Sequence, residues 1–240
     1  MKLEICASNY QSAINAQVAG AHRIELCTEL AVGGLTPSFG LLKQVVDVLT
    51  IPVFVLIRPR SGNFTYTKDE FDIMKHDIQL CKDLGCDGIV SGVLKENNTI
   101  DVERTKQLIE WSSPLNFTFH RAFDWTPNPF EALQQLIDLK VERILTSGQK
   151  PSAEQGFSNL KQLQNMAKEN IIVLPGGGIT IQNAKLFKNA SFKEIHASAT
   201  TLHKTNRSPK ISMNSIKFFD ETIEVVSEVE KIKSLLKSCL

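Results

Sequence analysis

Residues 3–27 read LEICASNYQSAINAQVAGAHRIELC and contain a complete strand–helix–strand pattern. Leu3–Cys6 alternates apolar and polar side chains, apolar residues then recur at helical spacing, and the alternation returns at Ile24–Cys27. A period that changes from strand to helix and back is typical of a βαβ unit. The segment therefore predicts two parallel strands joined by a crossover helix.

The same alternation continues along the chain, with glycines and prolines at the predicted ends of elements. Eight strands are predicted, at Leu3–Ala7, Arg23–Cys27, Val53–Ile57, Gly88–Ser91, Asn116–His120, Arg143–Ser147, Ile171–Leu174 and Glu194–Ala197. Eight βα units in 240 residues fit a closed (β/α)₈ TIM-like barrel better than a doubly wound open sheet, which usually has fewer strands. No linker interrupts the series, so we predict one α/β domain over residues 1–240.

Composition excludes several classes of protein. The 27 basic and 26 acidic residues give a net charge of +1, which provides no general attraction to nucleic acid or to an anionic membrane. No segment approaches the roughly 20 apolar residues that a transmembrane helix needs. The first residues lack the apolar core of a signal peptide, and the five cysteines are an odd number. We expect a cytoplasmic protein with reduced thiols and no nucleic-acid or membrane partner.

Two cysteines stand at equivalent places in the first two strands. Glu4 and Cys6 lie two residues apart, as do Glu25 and Cys27, so each pair shares one face of its strand. Adjacent strands are about 4.8 Å apart, so inward-facing thiols would meet near the barrel mouth and suit Cu(I). The sequence has no CxxC or HxxxH pattern to supply zinc ligands. The alternative is that both cysteines are buried apolar residues.

A second group of polar residues follows other strands, and strand ends converge on one mouth in this fold. Arg58 is a candidate anion clamp, His120 a candidate general acid or base, and Asp124 a candidate carboxylate to orient it. Further candidate ligand-binding residues are Glu25, Arg121, Ser147, Gly148, Gly176, Gly177, His196 and Ser198. The alternative is a structural plug in which Glu4, Glu25 and Asp124 pair with Arg58, Arg121 and Arg143.

Two glycine-containing turns and one long connection complete the candidates. The turns at Ser147–Gly148 and Gly176–Gly178 could present backbone amides to a phosphate, or could serve close packing. Thr200–Asn214 is interpreted as a solvated polar loop, and its basic residues could attract an anion. Those residues are His203, Lys204, Arg207 and Lys210.

Six segments of the chain form an ordered set, at Arg23–Cys27, Gly33–Ser38, Ile57–Gly62, Thr118–Asp124, Leu145–Gly148 and Pro175–Ile179. Together they resemble the CutC family, named for copper homeostasis. The resemblance implies a cytoplasmic TIM-like barrel that forms a homo-oligomer and binds Cu(I) through Cys6 and Cys27. Ala197 departs from some relatives, which have a cysteine in that strand.

Three functions therefore follow as hypotheses. The first is Cu(I) binding by Cys6 and Cys27. The second is an uncharacterised barrel enzyme that acts on a small anionic or sugar-like metabolite through Arg58, His120 and Asp124. The third is a binding or assembly module whose mouth charges are structural.

Overall fold

A computed structural model describes residues 1–204, 211 and 223–240. The eight predicted strands are confirmed, and none of their ends moves by more than one residue. They are β1 (Lys2–Ala7), β2 (Arg23–Leu26), β3 (Val53–Leu56), β4 (Gly88–Ser91), β5 (Asn116–Phe119), β6 (Arg143–Thr146), β7 (Ile172–Pro175) and β8 (Glu194–Ala197).

The helices follow the strands in alternation, as predicted. They are α1 (Tyr10–Ala19), α2 (Phe39–Val48), α3 (Lys68–Asp83), α4 (Val102–Ser112), α5 (Pro129–Asp138), α6 (Phe157–Ala167), α7 (Ala184–Asn189) and α8 (Val229–Cys239). Local chemistry sets their ends. The Asn9 side chain caps α1, and Gly20, at φ +89°, ends it in a left-handed conformation that favours glycine. None of the described helices is long and apolar enough to cross a membrane.

The strands form one parallel sheet in the order β7-β6-β5-β4-β3-β2-β1-β8. The two end strands, β7 and β8, lie against each other, so the sheet curls into a nearly closed barrel of the TIM type. Helices cover the outside of the barrel. The last of them, α8, packs between α1 and α7 and against β1. The fold places the carboxyl ends of all eight strands around one mouth.

The pairing register of β1 determines which side chains meet inside the barrel. Glu4 is opposite Arg23 of β2 and His196 of β8, and Cys6 is opposite Glu25. Alternate residues of β1 point the other way and join the apolar core beneath the helices. Polar residues of three neighbouring strands therefore share the barrel interior.

Buried charges fill the interior below the mouth. Arg23 donates to Glu4 and, through Nη2, to Glu194 at 2.5 Å. The Arg143 Nε lies 3.5 Å from the Glu194 carboxylate, and both guanidinium groups stack near the Phe54 ring. Pairing offsets the cost of removing these charges from water. The plug alternative, in which Glu4, Glu25 and Asp124 pair with Arg58, Arg121 and Arg143, is right for Arg121 with Asp124. It is wrong for Glu4, whose partner is Arg23, the centre of the cluster.

The interpretation of residues 200–214 as a polar loop is also wrong in part. Thr200–Lys204 forms β9, which pairs antiparallel with β10 (Ile223–Ser227). His203 and Lys204 lie on β9, whereas Arg207 and Lys210 lie outside the described residues. β9 is mostly exposed and lacks the apolar pattern of the buried barrel strands, which is why the sequence did not indicate it.

The buried ion cluster predicts that replacing Arg23 lowers the free energy of unfolding far more than replacing the exposed Lys43. Arg23→Met should lower the free energy of unfolding by about 3–5 kcal/mol, because two buried carboxylates lose their partner. Lys43→Met removes an exposed ion pair with Asp47 and should change the free energy of unfolding by less than about 1 kcal/mol. Urea unfolding followed by circular dichroism measures both, and equal effects would contradict the assigned role of Arg23.

Candidate metal centre

A cavity of about 210 Å³ opens at the barrel mouth. Nine of the thirteen predicted site residues line it, namely Cys6, Glu25, Cys27, Arg58, His120, Arg121, Gly177, His196 and Ser198. The remaining four, Asp124, Ser147, Gly148 and Gly176, are not among its lining residues. The strand ends therefore bring most of the predicted polar group together.

The two thiols of β1 and the end of β2 lie side by side, as the repeated pattern predicts. The Sγ atoms of Cys6 and Cys27 are 3.6 Å apart, and both line the cavity. Leu56 packs beside them, and the loop after β2 passes close to Cys27 at Gly34. A Cβ at Gly34 would lie 2.7 Å from Leu56 Cδ2, and its φ of +89° favours glycine, so this approach requires a glycine.

A second set of ligand atoms overlaps the thiol pair. The Cys6 sulfur, a Glu25 carboxylate oxygen and a His196 ring nitrogen all lie within 4.8 Å of one another. Cys27 stands outside this set, although its sulfur contacts Cys6. The members come from β1, β2 and β8, so no local sequence motif could show them together.

Glu4 holds the His196 ring from below. The His196 Nδ1 lies 2.7 Å from Glu4 Oε1 and 3.4 Å from Glu25 Oε2. Burial alone would favour neutral Glu4, but Arg23 and the hydrogen bond from His196 outweigh it and lower the pKa of Glu4 to about 2. Burial also opposes a charged His196, yet the nearby Cys6 sulfur and the hydrogen bond to Glu4 raise its pKa well above the usual value.

Glu25 and Cys6, the other two members of the ligand set, also have raised pKa values. Burial, together with the nearby Glu4 charge, raises the pKa of Glu25 to about 7. Contact with Cys27, followed by burial, raises the pKa of the Cys6 thiol well above its usual range. Without a metal ion, Cys6 is therefore a protonated thiol. The neighbouring Glu25 carboxyl group takes up a proton near neutral pH.

His120, which follows β5, also lines the cavity, and its ring is held by the loop that it begins. Its Nδ1 accepts a hydrogen bond from the Ala122 amide at 3.3 Å, and its ring packs 4.9 Å from the Phe64 ring. Burial, with a smaller effect from the Arg58 charge, lowers the pKa of His120 to about 3. His120 is therefore a neutral imidazole at physiological pH.

Arg58 ties two mouth loops together rather than standing free. Its Nη1 donates to the carbonyls of Val32 and Gly34 at 2.7 and 2.9 Å, and its Nη2 donates to Gly62 at 2.9 Å. These bonds connect the loop after β2 to the loop after β3. The sequence indicated a charged residue at the mouth, but the carbonyls that engage it are visible only in the structure.

Asp124 accepts hydrogen bonds from backbone amides in the turn that follows β6. Its carboxylate accepts hydrogen bonds from the amides of Ser147 and Gln149 at 3.1 Å and from Thr146 Oγ1 at 2.5 Å. Arg121 Nε donates to the same carboxylate at 2.8 Å. Among the described residues, Asp124 and His120 share no hydrogen bond, because Asp124 is directed to the turn after β6.

Fold and site together define a TIM-type barrel whose mouth cavity has paired thiols on one wall. The CutC family model matches residues 1–201, and the chain belongs to the CutC family.

Individual relatives give the same result. A family protein CutC of Photorhabdus laumondii is 47% identical over 201 residues, covering 84% of this chain and 81% of the relative. The copper homeostasis protein cutC homolog of Homo sapiens is 42% identical, covering 97% and 87%. The crystal structure of the putative copper homeostasis protein CutC of Streptococcus agalactiae has a TM-score of 0.78 and 35% identity, covering 82% and 98%.

The buried neutral His120 predicts a specific acid sensitivity. Its pKa is about 3 in the folded chain and 6.5 as an ordinary histidine, so between these values the unfolded chain binds the additional proton. Its stabilising contribution is complete above about pH 6.5 and decreases as the pH falls towards 3. His120→Gln should reduce the slope of unfolding free energy against pH by up to about 1.4 kcal/mol per unit. Urea unfolding from pH 6.5 to 4.5 measures the slope, and an unchanged slope would contradict the assignment.

Proposed function

We propose that the chain binds Cu(I) through the thiolates of Cys6 and Cys27 and serves copper homeostasis in the cytoplasm. The observation that carries the proposal is the 3.6 Å separation of the two sulfurs on the wall of an open cavity. Two sulfurs that each lie about 2.3 Å from one metal ion, the usual Zn–S distance, can be at most about 4.6 Å apart. The pair therefore fits one ion without movement of the backbone.

The donor atoms suit a soft ion. Thiolate sulfur selects Cu(I) over ions that prefer carboxylate or water oxygen. Leu30, Leu56 and Val90 surround the thiols with apolar surface, which limits the access of water to the bound ion. Binding displaces the thiol protons, so the affinity depends on pH.

His196 favours the thiolate form of Cys6, in opposition to the contact with Cys27 and the burial that raise the pKa of this thiol. A ring nitrogen of His196 lies within 4.8 Å of the Cys6 sulfur. His196 is held by Glu4, and Glu4 is in turn paired with Arg23. This chain of contacts places an imidazole that can carry positive charge beside the sulfur. A nearby cation stabilises a thiolate relative to the thiol.

The relatives support the same function. Proteins 42% identical to this chain, in Mus musculus and Homo sapiens, are named copper homeostasis protein cutC homologs. The alternative, a barrel enzyme that uses Arg58, His120 and Asp124, is not favoured. Arg58 and Asp124 are engaged by backbone groups of the protein itself, and His120 is neutral.

The proposal predicts loss of Cu(I) binding when both thiols are replaced. Wild-type protein, reduced and free of oxygen, should take one equivalent of Cu(I) from a chromogenic Cu(I) chelator. Cys6→Ser combined with Cys27→Ser should take none at this site, because hydroxyl oxygen is a poor ligand for a soft ion. Absorbance of the chelator complex gives the stoichiometry.

A cysteine outside the cavity provides the matched control. Cys239 is buried at the end of α8, and Cys239→Ser should leave one equivalent of Cu(I) bound with unchanged affinity. Far-UV circular dichroism establishes that each variant is folded. Stoichiometric Cu(I) binding of unchanged affinity by the folded double-serine variant would overturn the proposal.

A further inference from the structure

We infer that the mouth holds a second, overlapping metal site, in which Cys6, Glu25 and His196 bind a divalent ion of the Zn²⁺ class. The inference deepens the proposed function, on which it rests for the role of Cys27. The two sites share Cys6 but differ in their other ligands. Cys27 completes the site for Cu(I), whereas Glu25 and His196 complete the site for the divalent ion.

The donor set itself indicates the kind of ion. One sulfur, one imidazole nitrogen and one carboxylate oxygen lie within 4.8 Å of one another. Zn²⁺ binds all three atom types at about 2.0–2.3 Å, whereas Cu(I) favours sulfur over carboxylate oxygen. Since two ligands at such distances can be at most about 4.6 Å apart, small side-chain adjustments are enough to bring all three onto one ion.

Glu25 gives the independent indication that a ligand belongs here. Its side chain is 5% exposed, and it lines the cavity. Among the described residues, its one salt-bridge contact is His196 Nδ1, at 3.4 Å. A buried carboxylate normally has close partners or coordinates a metal, because burial of an unpaired charge is costly. A divalent ion in the cavity would be that partner.

His196 is oriented for this role by a residue outside the set. Its Nδ1 donates to Glu4 at 2.7 Å, which leaves Nε2 with the lone pair once the imidazolium proton is displaced. A carboxylate that holds a histidine in this way is typical of metal sites and fixes the orientation of the ring. Glu4 is itself fixed by Arg23, so the ring position depends on the buried ion cluster.

Three protein ligands leave the fourth position of a tetrahedral ion open. Structural zinc sites have four protein ligands, whereas sites with three keep a position for water or substrate. Here that position would face a cavity of about 210 Å³, several times the roughly 30 Å³ that one water molecule occupies in the liquid. The ligand class is therefore a divalent ion with a water or a small oxygen-containing molecule in its fourth position.

Two substitutions separate the two sites. The probes are Zn²⁺, in competition with a chromogenic chelator, and Co²⁺, whose visible spectrum reports tetrahedral geometry and thiolate ligation, both with reduced full-length protein. Glu25→Gln should weaken Zn²⁺ binding by more than about 100-fold, since even loss of an outer residue costs 10–100-fold, but should retain wild-type Cu(I) binding. Cys27→Ser should show the reverse, with weakened Cu(I) binding and a retained Co²⁺ spectrum.

The outcomes are distinguishable, and retained binding of the other ion is the test of folding for each variant. Wild-type Zn²⁺ affinity in Glu25→Gln, or equal loss of Zn²⁺ in both variants, would overturn the inference. Retained Cu(I) binding in Cys27→Ser would instead overturn the proposed function, whatever happens to Zn²⁺. Because Cys6 is shared, one equivalent of Cu(I) should also exclude Co²⁺ from wild-type protein, and simultaneous binding would contradict the overlap.

Discussion

The pairing register of β1 with its two neighbours is the constraint on which the site depends. It places Glu4 opposite both Arg23 and His196, and Cys6 opposite Glu25. A slip of one residue would turn Glu4 and Cys6 to the helix side and bring apolar residues into the mouth. Neither the thiol pair nor the mixed ligand set would then exist.

The barrel interior has two levels of polar residues that depend on each other. At the lower level, Arg23 holds Glu4 and Glu194, and at the upper level Glu4 holds His196 beside Cys6. The lower charges are therefore more than a plug, because they determine the orientation of a ring in the candidate metal centre. In the proposed metal centre, the buried ions therefore also position a ligand ring, besides contributing to stability.

Sequence patterns predicted the fold and the thiol pair because both depend on local periodicity. The barrel followed from eight repeated βα units, and the thiols from the equivalent places of Cys6 and Cys27 in adjacent strands. Arg23 was missed as the centre of the ion cluster, although it lies two residues before Glu25 and must share its face. That spacing was a signal in the sequence that could have identified it.

Other features depend on contacts that no local pattern contains. His196 reaches Cys6 and Glu25 only because β8 pairs with β1, near the opposite end of the chain. Asp124 was expected to orient His120, but the amides after β6 offer it better hydrogen bonds. The pairing of β9 with β10 likewise joins residues that are not adjacent in the chain, and β9 is too exposed to show the apolar pattern of a buried strand.

The central claim is that Cys6 and Cys27 together bind one Cu(I) ion. X-ray absorption at the copper edge, on protein loaded with one equivalent of Cu(I) without oxygen, tests it most directly because it counts the sulfur neighbours of the metal. We expect two sulfur neighbours in the wild-type protein and one in Cys27→Ser. A copper environment of nitrogen and oxygen alone, or two sulfurs that persist in Cys27→Ser, would contradict this claim.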